Sequence, residues 1–193
     1  MNLWIRLIWY VATAWFRPSL TQPDEISRLS FRVWPTDLDL SLHMNNGRYL
    51  TIMDIGRLDF MVRTGLWKVL IKRRWTPIAS GIAIRFRREL RVFDKFDLET
   101  RLLAWTDVTV VMEQVLRFST GPRSGQVASR AMFKGGLYDR RTKAFLPIER
   151  LLREIGADVA APPITPDVEA FLRSDELIRA GSNAAETSNA GGR

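Results

Sequence analysis

The order of hydrophobic patterns predicts an α+β fold in which an antiparallel sheet of about five strands wraps around a central helix. Residues Ser27 to Trp34 alternate apolar and polar side chains, a period of two that is typical of a half-buried strand. Apolar residues then nearly encircle the stretch from Asn46 to Thr64, which predicts a buried helix that ends before Gly65. Four more alternating segments follow, and this order of elements indicates the layered arrangement.

The later segments are separated by turn-forming residues, of which the run Gly-Pro-Arg-Ser-Gly at 121–125 is the strongest signal. A basic connector without assigned structure precedes them, and short helices follow them. The predicted strands are Pro77 to Arg88, Phe96 to Trp105, Thr109 to Ser119 and Gln126 to Tyr138, and the predicted helices are Pro147 to Ile155 and Pro166 to Arg179.

The length of 193 residues, 46% of them hydrophobic, is sufficient for one domain with a complete core. We divide the chain into an apolar aromatic helix at 1–24, a main domain at 25–156, a helical extension at 157–180 and a tail at 181–193, which we expect to be disordered. Cysteine is absent and there is one histidine, which excludes disulfides and multi-histidine metal centres. We therefore expect no metal and no cofactor.

An excess of basic residues, 29 Lys and Arg against 21 Asp and Glu, gives a formal charge of +8. The basic residues cluster at 71–75 and 85–91, which favours an anionic partner. A phosphate-rich small molecule, an acidic protein, nucleic acid and an anionic membrane all satisfy this charge, as does a solvated basic face with no partner.

The N-terminal run from Leu7 to Phe16 is apolar but well short of the ~20 residues that span a bilayer. Trp9, Tyr10 and Trp15 suit a membrane interface, and packing onto the domain is the alternative. Cleavage as an export signal is disfavoured, because Arg6 is the one basic residue before the run. We expect a cytoplasmic protein that keeps this segment and uses it for peripheral membrane contact.

The ten residues DLDLSLHMNN, Asp37 to Asn46, place two carboxylates, the single histidine and two asparagines where the strand pattern changes to a helix. A helix start offers unpaired N–H groups and partial positive charge, which polarise a carbonyl. An adjacent carboxylate can attack that carbonyl or activate water, so the arrangement suggests acyl transfer.

The string DLDLSLHMNNGRYL resembles the loop and helix start of hot-dog-fold acyl thioesterases in the 4-hydroxybenzoyl-CoA thioesterase superfamily. Its H-x-N-N-x-x-Y ending is similar to that of plant-type acyl-ACP thioesterases, and the string from Trp34 to Trp105 resembles the thioesterase superfamily member 6 group most closely. The resemblance covers about Arg28 to Arg150. It implies a hot-dog fold, hydrolysis of an acyl-CoA or acyl-carrier-protein thioester, no cofactor, and a homodimer or dimer of dimers with the site at the subunit interface.

Asp39 matches the second aspartate of the family's D-x-D loop, which the resemblance implies is the nucleophile or general base. Capping through backbone N–H groups is the alternative for both carboxylates, more so for Asp37. His43 matches the active-site histidine of the plant-type enzymes and either relays a proton or braces the loop. Ser41 replaces the asparagine of those enzymes, which weakens the transfer of their mechanism.

The start of the predicted helix offers Asn45 and Asn46 as N-cap candidates. If Asn46 caps the helix, the N–H groups of Gly47 and Arg48 form an oxyanion site at its positive end. Capping without catalysis is the alternative.

Asp54 and Arg57 lie three residues apart on an otherwise apolar side of the helix. Another branch of hot-dog enzymes places its carboxylate on this helix, so Asp54 is the second candidate base, and simple pairing with Arg57 is the alternative.

The substrate is expected to meet an apolar groove beside the helix and a set of arginines that bind CoA phosphates. These are Tyr49, Met53 and Phe60 for the groove, and Arg85, Arg87 and Arg88 for the phosphates. The alternative function is a non-catalytic acyl- or lipid-binding hot-dog protein at a membrane surface. Nucleic-acid binding through 85–91 is the weakest hypothesis, and we expect no such partner.

Overall fold

The structure, a computed structural model, describes residues 3–20, 22, 25–157 and 160–190. A 3-10 turn at Pro35–Asp37 precedes the loop that leads into the long helix. The elements in chain order are α1 (Leu3–Ala14), β1 (Ser27–Arg32), α2 (Asn46–Arg63), α3 (Leu66–Arg73), β2 (Trp75–Phe86), β3 (Lys95–Trp105), β4 (Val110–Phe118), β5 (Val127–Asp139), β6 (Ala144–Phe145), α4 (Ile148–Glu154) and α5 (Pro166–Ala190).

The strands form one antiparallel sheet in the order β1-β3-β4-β5-β2, with the short β6 paired to β5. Bulges interrupt the register between Ala79 and Gly81 and between Leu102 and Ala104, and such bulges increase the local twist of a sheet. The sheet curls around α2, whose side chains fill its inner face. The predicted α+β arrangement of a sheet around a central helix is confirmed.

Helix α2 lies against the centre of the sheet because Gly56 has no side chain. A Cβ added at Gly56 would lie 2.5 Å from Leu98 Cδ2 and 2.7 Å from Thr100 Oγ1. Ile52 and Met53, one turn earlier, are completely buried in the same core. Side chains that interdigitate this tightly leave no space for an extra methyl group.

Helix α3 occupies the segment that the sequence predicted as a connector without structure. Leu66, Val69 and Leu70 are spaced for one helix face and pack with Trp75 in a second core cluster. The interruption at Gly65, with φ of 76°, separates α3 from α2. The basic residues concealed this short apolar period, so the sequence analysis assigned no helix here.

Helix α5 packs on the outer face of the sheet, where Val168 and Phe171 contact Ala104 and Val111. It continues past Arg179, where the sequence predicted its end, to Ala190. The tail that we expected to be disordered is therefore helical as far as it is described, and residues 191–193 lie outside the described residues. Alanine has the highest helix propensity, and several alanines follow Arg179.

Helix α1 is held on the domain by polar contacts of one face. The Arg6 side chain is buried, with Nη1 2.9 Å from Asp37 Oδ2 and Nη2 donating to the Arg32 carbonyl at 2.6 Å. The Tyr10 hydroxyl donates to the carbonyl of Ser30. A buried arginine therefore ties the N-terminal helix to the loop that precedes α2.

The opposite face of α1 is apolar and exposed. Ile5, Ile8 and Trp9 point away from the domain, as do Trp15 and Phe16 just after the helix. One face of α1 therefore packs on the domain, which was one of the two alternatives for this segment, and membrane contact through the exposed face stays a prediction. Within the described residues, no helix combines the length and apolarity needed to cross a membrane.

We predict that Arg6→Met lowers the free energy of unfolding by about 3 kcal/mol, because it leaves the carboxylate of Asp37 buried with one ionic partner fewer. Arg28→Met is the control, since Arg28 forms an exposed pair with Glu99, and it should cost less than about 1 kcal/mol. Urea denaturation measures both variants. Equal losses of unfolding free energy in the two variants would show that the buried Arg6–Asp37 pair stabilises the fold no more than a surface ion pair does.

Candidate functional site

Asp37 is a buried carboxylate with partners on both sides. Its side chain is 1% exposed, with Arg6 on one side and Arg48 Nε 3.2 Å from Oδ1 on the other. It also accepts a hydrogen bond from the Trp34 N–H at 2.9 Å. These contacts fit the capping and bracing alternative for Asp37, since both oxygens are engaged by the fold.

Asp39 and His43 lie together on the accessible side of the loop. Asp39 Oδ2 is 3.4 Å from His43 Nδ1, and the two side chains are 26% and 33% exposed. Asp39 Oδ1 accepts the Ser41 N–H at 2.9 Å, and the Asp39 N–H donates to the His43 carbonyl at 3.0 Å. The carboxylate is therefore oriented by the loop and open to a ligand, as a base or nucleophile must be.

The loop is fixed at its base and exposed at its tip. The Met44 N–H donates to the Leu90 carbonyl at 2.8 Å, and His43 forms a β-bridge with Arg91. At the tip, Leu40 and Leu42 project into solvent, and Leu42 has φ of 60°, a conformation that costs a branched residue energy. The apolar tip of the loop therefore lies in solvent beside Asp39.

Of the two N-cap candidates, Asn45 caps α2 and Asn46 is the first helical residue, so the condition that Asn46 caps the helix is not met. The Asn45 side chain accepts the Gly47 N–H at 2.9 Å, and its carbonyl accepts the Arg48 N–H at 2.8 Å. Both adjacent asparagines suit an N-cap by residue type, and the path of the loop makes Asn45 the cap. Asn45 therefore engages both N–H groups that were predicted as oxyanion donors. A thioester carbonyl would have to displace the Asn45 side chain from the Gly47 N–H.

An apolar cavity of about 340 Å³ lies between α2, α3, β2, β5 and α4. The glycine pair Gly135 and Gly136 contributes only backbone to its wall, and side chains there would collide with the carbonyls of Ile78 and Val108. Among the described residues, the polar side chains that line it are Asp54, Arg57 and Thr64. Apolar side chains that line it include Phe60, Met61, Leu70, Met112, Phe133 and Leu151.

The groove predicted from the sequence is mostly misplaced, because Tyr49 and Met53 are buried in the core. Tyr49 packs edge-on to Phe86 with ring centroids 5.0 Å apart, and burial raises the pKa of its hydroxyl to about 12. Of the three groove residues, Phe60 lines the cavity. The sequence shows which residues of a helix are apolar, and the surrounding elements decide which of them face a cavity.

Asp54 and Arg57 form an ion pair on the cavity wall. The Arg57 side chain is 14% exposed and that of Asp54 is 61% exposed. Arg57 Nη1 donates to Gln114 Oε1 at 2.6 Å, and its guanidinium carbon lies 4.1 Å from the ring centroid of Phe133. Burial lowers the pKa of Arg57, which Asp54 partly opposes. The spacing in the sequence predicted the ion pair but not the contact with Gln114, because Arg57 and Gln114 meet only in the fold.

The three arginines proposed for phosphates divide into two sets. Arg85 and Arg87 line an open groove of about 590 Å³ on the outer face, beside Arg130. Arg88 instead donates to the Val127 carbonyl at 2.9 Å. The expectation for Arg88 therefore conflicts with its backbone contact, and Arg85 and Arg87 are the accessible members.

The Asp39 loop and the cavity lie at different places along α2. The cavity lining begins at Asp54, and a rise of ~1.5 Å per residue places this position roughly 12 Å from Asn46. Residues 37–48 do not contribute to the lining. Within one described chain, the Asp39–His43 pair and the apolar cavity therefore lie apart.

Comparison with known proteins connects this architecture to a family. A family model described as the thioesterase-like superfamily matches residues 33–172. Protein THEM6 of Xenopus laevis is 40% identical over 82 residues, 42% of this chain and 40% of that protein. The match thus spans about two fifths of the length of this relative.

Two further comparisons cover most of the other protein. The long-chain acyl-CoA thioesterase FadM of Escherichia coli K12 is 25% identical over 117 residues, 61% of this chain and 86% of FadM. The structure of YbaW, a probable thioesterase from Escherichia coli, aligns with a TM-score of 0.61 and 23% identity over 66% of this chain and 94% of that one. The predicted hot-dog fold is confirmed.

We predict that Asn45→Ala lowers the free energy of unfolding by about 1 kcal/mol, because the Gly47 N–H loses its acceptor. Asn46→Ala at the neighbouring position should cost less than about 0.5 kcal/mol, since the structure gives Asn46 no capping role. Thermal denaturation of both variants measures the difference. The reverse order would assign the cap to Asn46.

Proposed function

The chain belongs to the thioesterase-like superfamily, and we propose that it hydrolyses acyl thioesters of coenzyme A, with an acyl carrier protein as the second acceptable donor. The observation that supports this most directly is the Asp39–His43 pair, 3.4 Å apart and accessible at the start of α2. The apolar cavity supports an aliphatic acyl group, and Arg85 and Arg87 supply charge for the phosphates of coenzyme A.

In the general-base route, the Asp39 carboxylate takes a proton from a water molecule as the water oxygen adds to the thioester carbonyl. The negative charge that develops on the carbonyl oxygen lies at the N-terminus of α2 and is stabilised by its partial positive charge. The tetrahedral species then expels the thiolate as the C–S bond breaks, and the proton that Asp39 accepted passes through His43 to the thiolate. In the covalent route Asp39 attacks the carbonyl itself and the thiolate leaves, forming an anhydride that water hydrolyses to the free acid and the Asp39 carboxylate.

A second copy of the chain completes the site. Strand β2 is an edge of the sheet and exposes Ile78, Ile82 and Phe86, and an apolar edge of this length favours pairing with another strand. Pro77 and Ile78 at its start line the cavity, whereas Phe86 at its end contacts Tyr49 near the start of α2.

Antiparallel pairing of two β2 strands about a two-fold axis places the end of one β2 beside the start of the other. The Asp39 loop of one copy then lies next to the cavity of its partner, and the exposed Leu40 and Leu42 are covered. This arrangement removes the separation of roughly 12 Å along α2 that exists within one chain.

The second candidate function is a non-catalytic acyl- or lipid-binding protein. The observation that favours it is the engagement of the Gly47 and Arg48 N–H groups by Asn45, which leaves the predicted oxyanion site closed. Ser41, in place of the plant-type asparagine, agrees with that alternative. Retention of unhydrolysed acyl-CoA by the wild-type chain would distinguish a binder from an enzyme.

We predict that Asp39→Asn lowers kcat for acyl-CoA hydrolysis by about 10²- to 10⁴-fold, the usual contribution of a positioned general base. Thiol release measured with a thiol-reactive dye reports turnover, and the chain contributes no background because it has no cysteine. Asp107→Asn, an exposed aspartate between β3 and β4, is the matched control and should keep wild-type activity. Turnover that survives in Asp39→Asn would move the role to Asp54, since both oxygens of Asp37 are engaged by the fold.

Mixed dimers extend this test to the shared site. Met61→Trp fills the cavity and Asp39→Asn removes the carboxylate, so each variant alone should be inactive. Random mixing by co-expression should restore about a quarter of wild-type activity, because each mixed dimer has one intact composite site. No recovery from mixed dimers would place Asp39 and the cavity of one site in the same chain.

Peripheral membrane contact through α1 completes the proposal. The exposed face of Ile5, Ile8, Trp9, Trp15 and Phe16 has the aromatic composition of interfacial helices. The formal charge of +8 favours anionic headgroups. A membrane-bound enzyme of this kind would meet acyl chains at the bilayer surface.

We predict that Trp9→Ser combined with Phe16→Ser lowers binding to anionic lipid vesicles by about tenfold or more, since each large apolar side chain contributes roughly 1.5–3 kcal/mol when buried. Leu177→Ser, which removes an exposed leucine of α5, should leave binding unchanged. Vesicle co-sedimentation measures both. Equal sedimentation of all the proteins would exclude α1 as the membrane contact.

A further inference from the structure

Arg57 combines features that the proposed hydrolysis does not require. It is a largely buried cation on the wall of an apolar cavity, and Asp39 acts elsewhere in the same chain. We propose that this cavity binds a free aliphatic carboxylate, whose carboxylate group pairs with the Arg57 guanidinium in place of Asp54. The inference goes beyond the proposed function, because such binding requires no catalytic step.

The position of Arg57 is fixed from inside the fold. Its Nη1 donates to Gln114, which is completely buried, and the Gln114 amide in turn donates to the Met53 carbonyl at 2.8 Å and to Thr100 Oγ1 at 3.1 Å. The ring of Phe133 lies beneath the guanidinium. A cation held in this way loses little conformational freedom when an anion binds, which favours affinity.

A ligand carboxylate can replace Asp54 as the ionic partner of Arg57. Asp54 pairs with Nη2, but its side chain is 61% exposed, so it returns to water at little expense when it is displaced. Exposed ion pairs of neighbouring helix residues contribute little stability. The guanidinium has five N–H donors, enough for Gln114 and a bidentate carboxylate together.

The rest of the cavity selects an aliphatic chain. Apart from Asp54, Arg57 and Thr64, the described side chains that line it are apolar. A carboxylate at Arg57 with its hydrocarbon in the cavity leaves no polar ligand atom without a partner, whereas a polar chain would lose its hydrogen bonds to water. Such a ligand is either the product of thioester hydrolysis, retained after the thiol leaves, or a fatty acid taken from solution.

Isothermal titration calorimetry of the wild-type chain with decanoate and with decan-1-ol tests the proposal. The two ligands share their hydrocarbon, so a preference for decanoate of about tenfold or more measures the contact with Arg57. Arg57→Gln should remove this preference while decan-1-ol binds as before. Arg101→Gln, which changes a paired arginine on the outer face, should leave both affinities unchanged.

Asp54→Asn gives an independent result that does not depend on removing the arginine. Loss of the competing carboxylate should tighten decanoate binding by about threefold or more and leave decan-1-ol unchanged. Equal affinities of the wild-type chain for the two ligands, or weaker decanoate binding by Asp54→Asn, would overturn the proposal.

Inhibition of hydrolysis distinguishes the two sources of the ligand. Asp39→Asn should bind added decanoate like the wild type, because Asp39 does not belong to the proposed site. Inhibition of decanoyl-CoA hydrolysis by added decanoate, lost in Arg57→Gln, identifies the site with the product. Binding without inhibition assigns it to a fatty acid from solution. A chain that binds decanoate but never hydrolyses a thioester would refute the proposed function and leave this site intact.

Discussion

The close contact between α2 and the sheet determines where every candidate functional group lies. Gly56 allows the helix backbone to approach Leu98 and Thr100, and the buried amide of Gln114 joins the helix carbonyl of Met53 to the same strands. Because an α-helix is a rigid rod, a contact fixed at its middle also fixes its ends. The N-terminus must then lie at the loop of Asp39, and the C-terminal half must form one wall of the cavity. Gln114 also holds Arg57, so the interaction that positions the helix positions the cation on that wall.

The two aspartates of the D-x-D loop have opposite environments for one geometric reason. Residues two apart need not share a face where a chain turns out of a strand, and here Asp37 enters the core while Asp39 faces the surface. Asp37 is neutralised by Arg6 and Arg48, which joins α1, the loop and α2 at one buried point. The loop can then expose Asp39 without being mobile at its base. A protein that needs an accessible carboxylate in a defined place thus uses a buried one to hold the backbone that carries it.

Much of this architecture follows from local patterns, and the site follows only in part. The strands and α2 were predictable because their side-chain periods extend over many residues, and the loop was predictable because its polar residues are adjacent in sequence. The choice of Asn45 over Asn46 as the cap depends on the path of the loop, which no local rule gives. The cavity was missed because helices and strands far apart in sequence form it, and the glycine pair at Gly135 was its one sequence signal. Gln114 is far from Arg57 in the chain, so their contact could not be read from the helix spacing.

The exposed apolar groups argue that one two-fold operation satisfies several separate requirements. Strand β2 leaves Ile78, Ile82 and Phe86 at an open edge, and the loop tip leaves Leu40 and Leu42 in water. The cavity lies at the start of this edge and the loop near its end, because β2 starts at the cavity and ends beside the start of α2. In a contact about a two-fold axis, the start of each β2 strand lies beside the end of the partner's β2 strand. Both β2 edges and both loop tips are then covered. In the proposed dimer, the same operation would bring the Asp39 carboxylate of one copy to the cavity of the other. Burial of apolar surface and assembly of the reactive groups would then be one event, and a separated chain would lose both together.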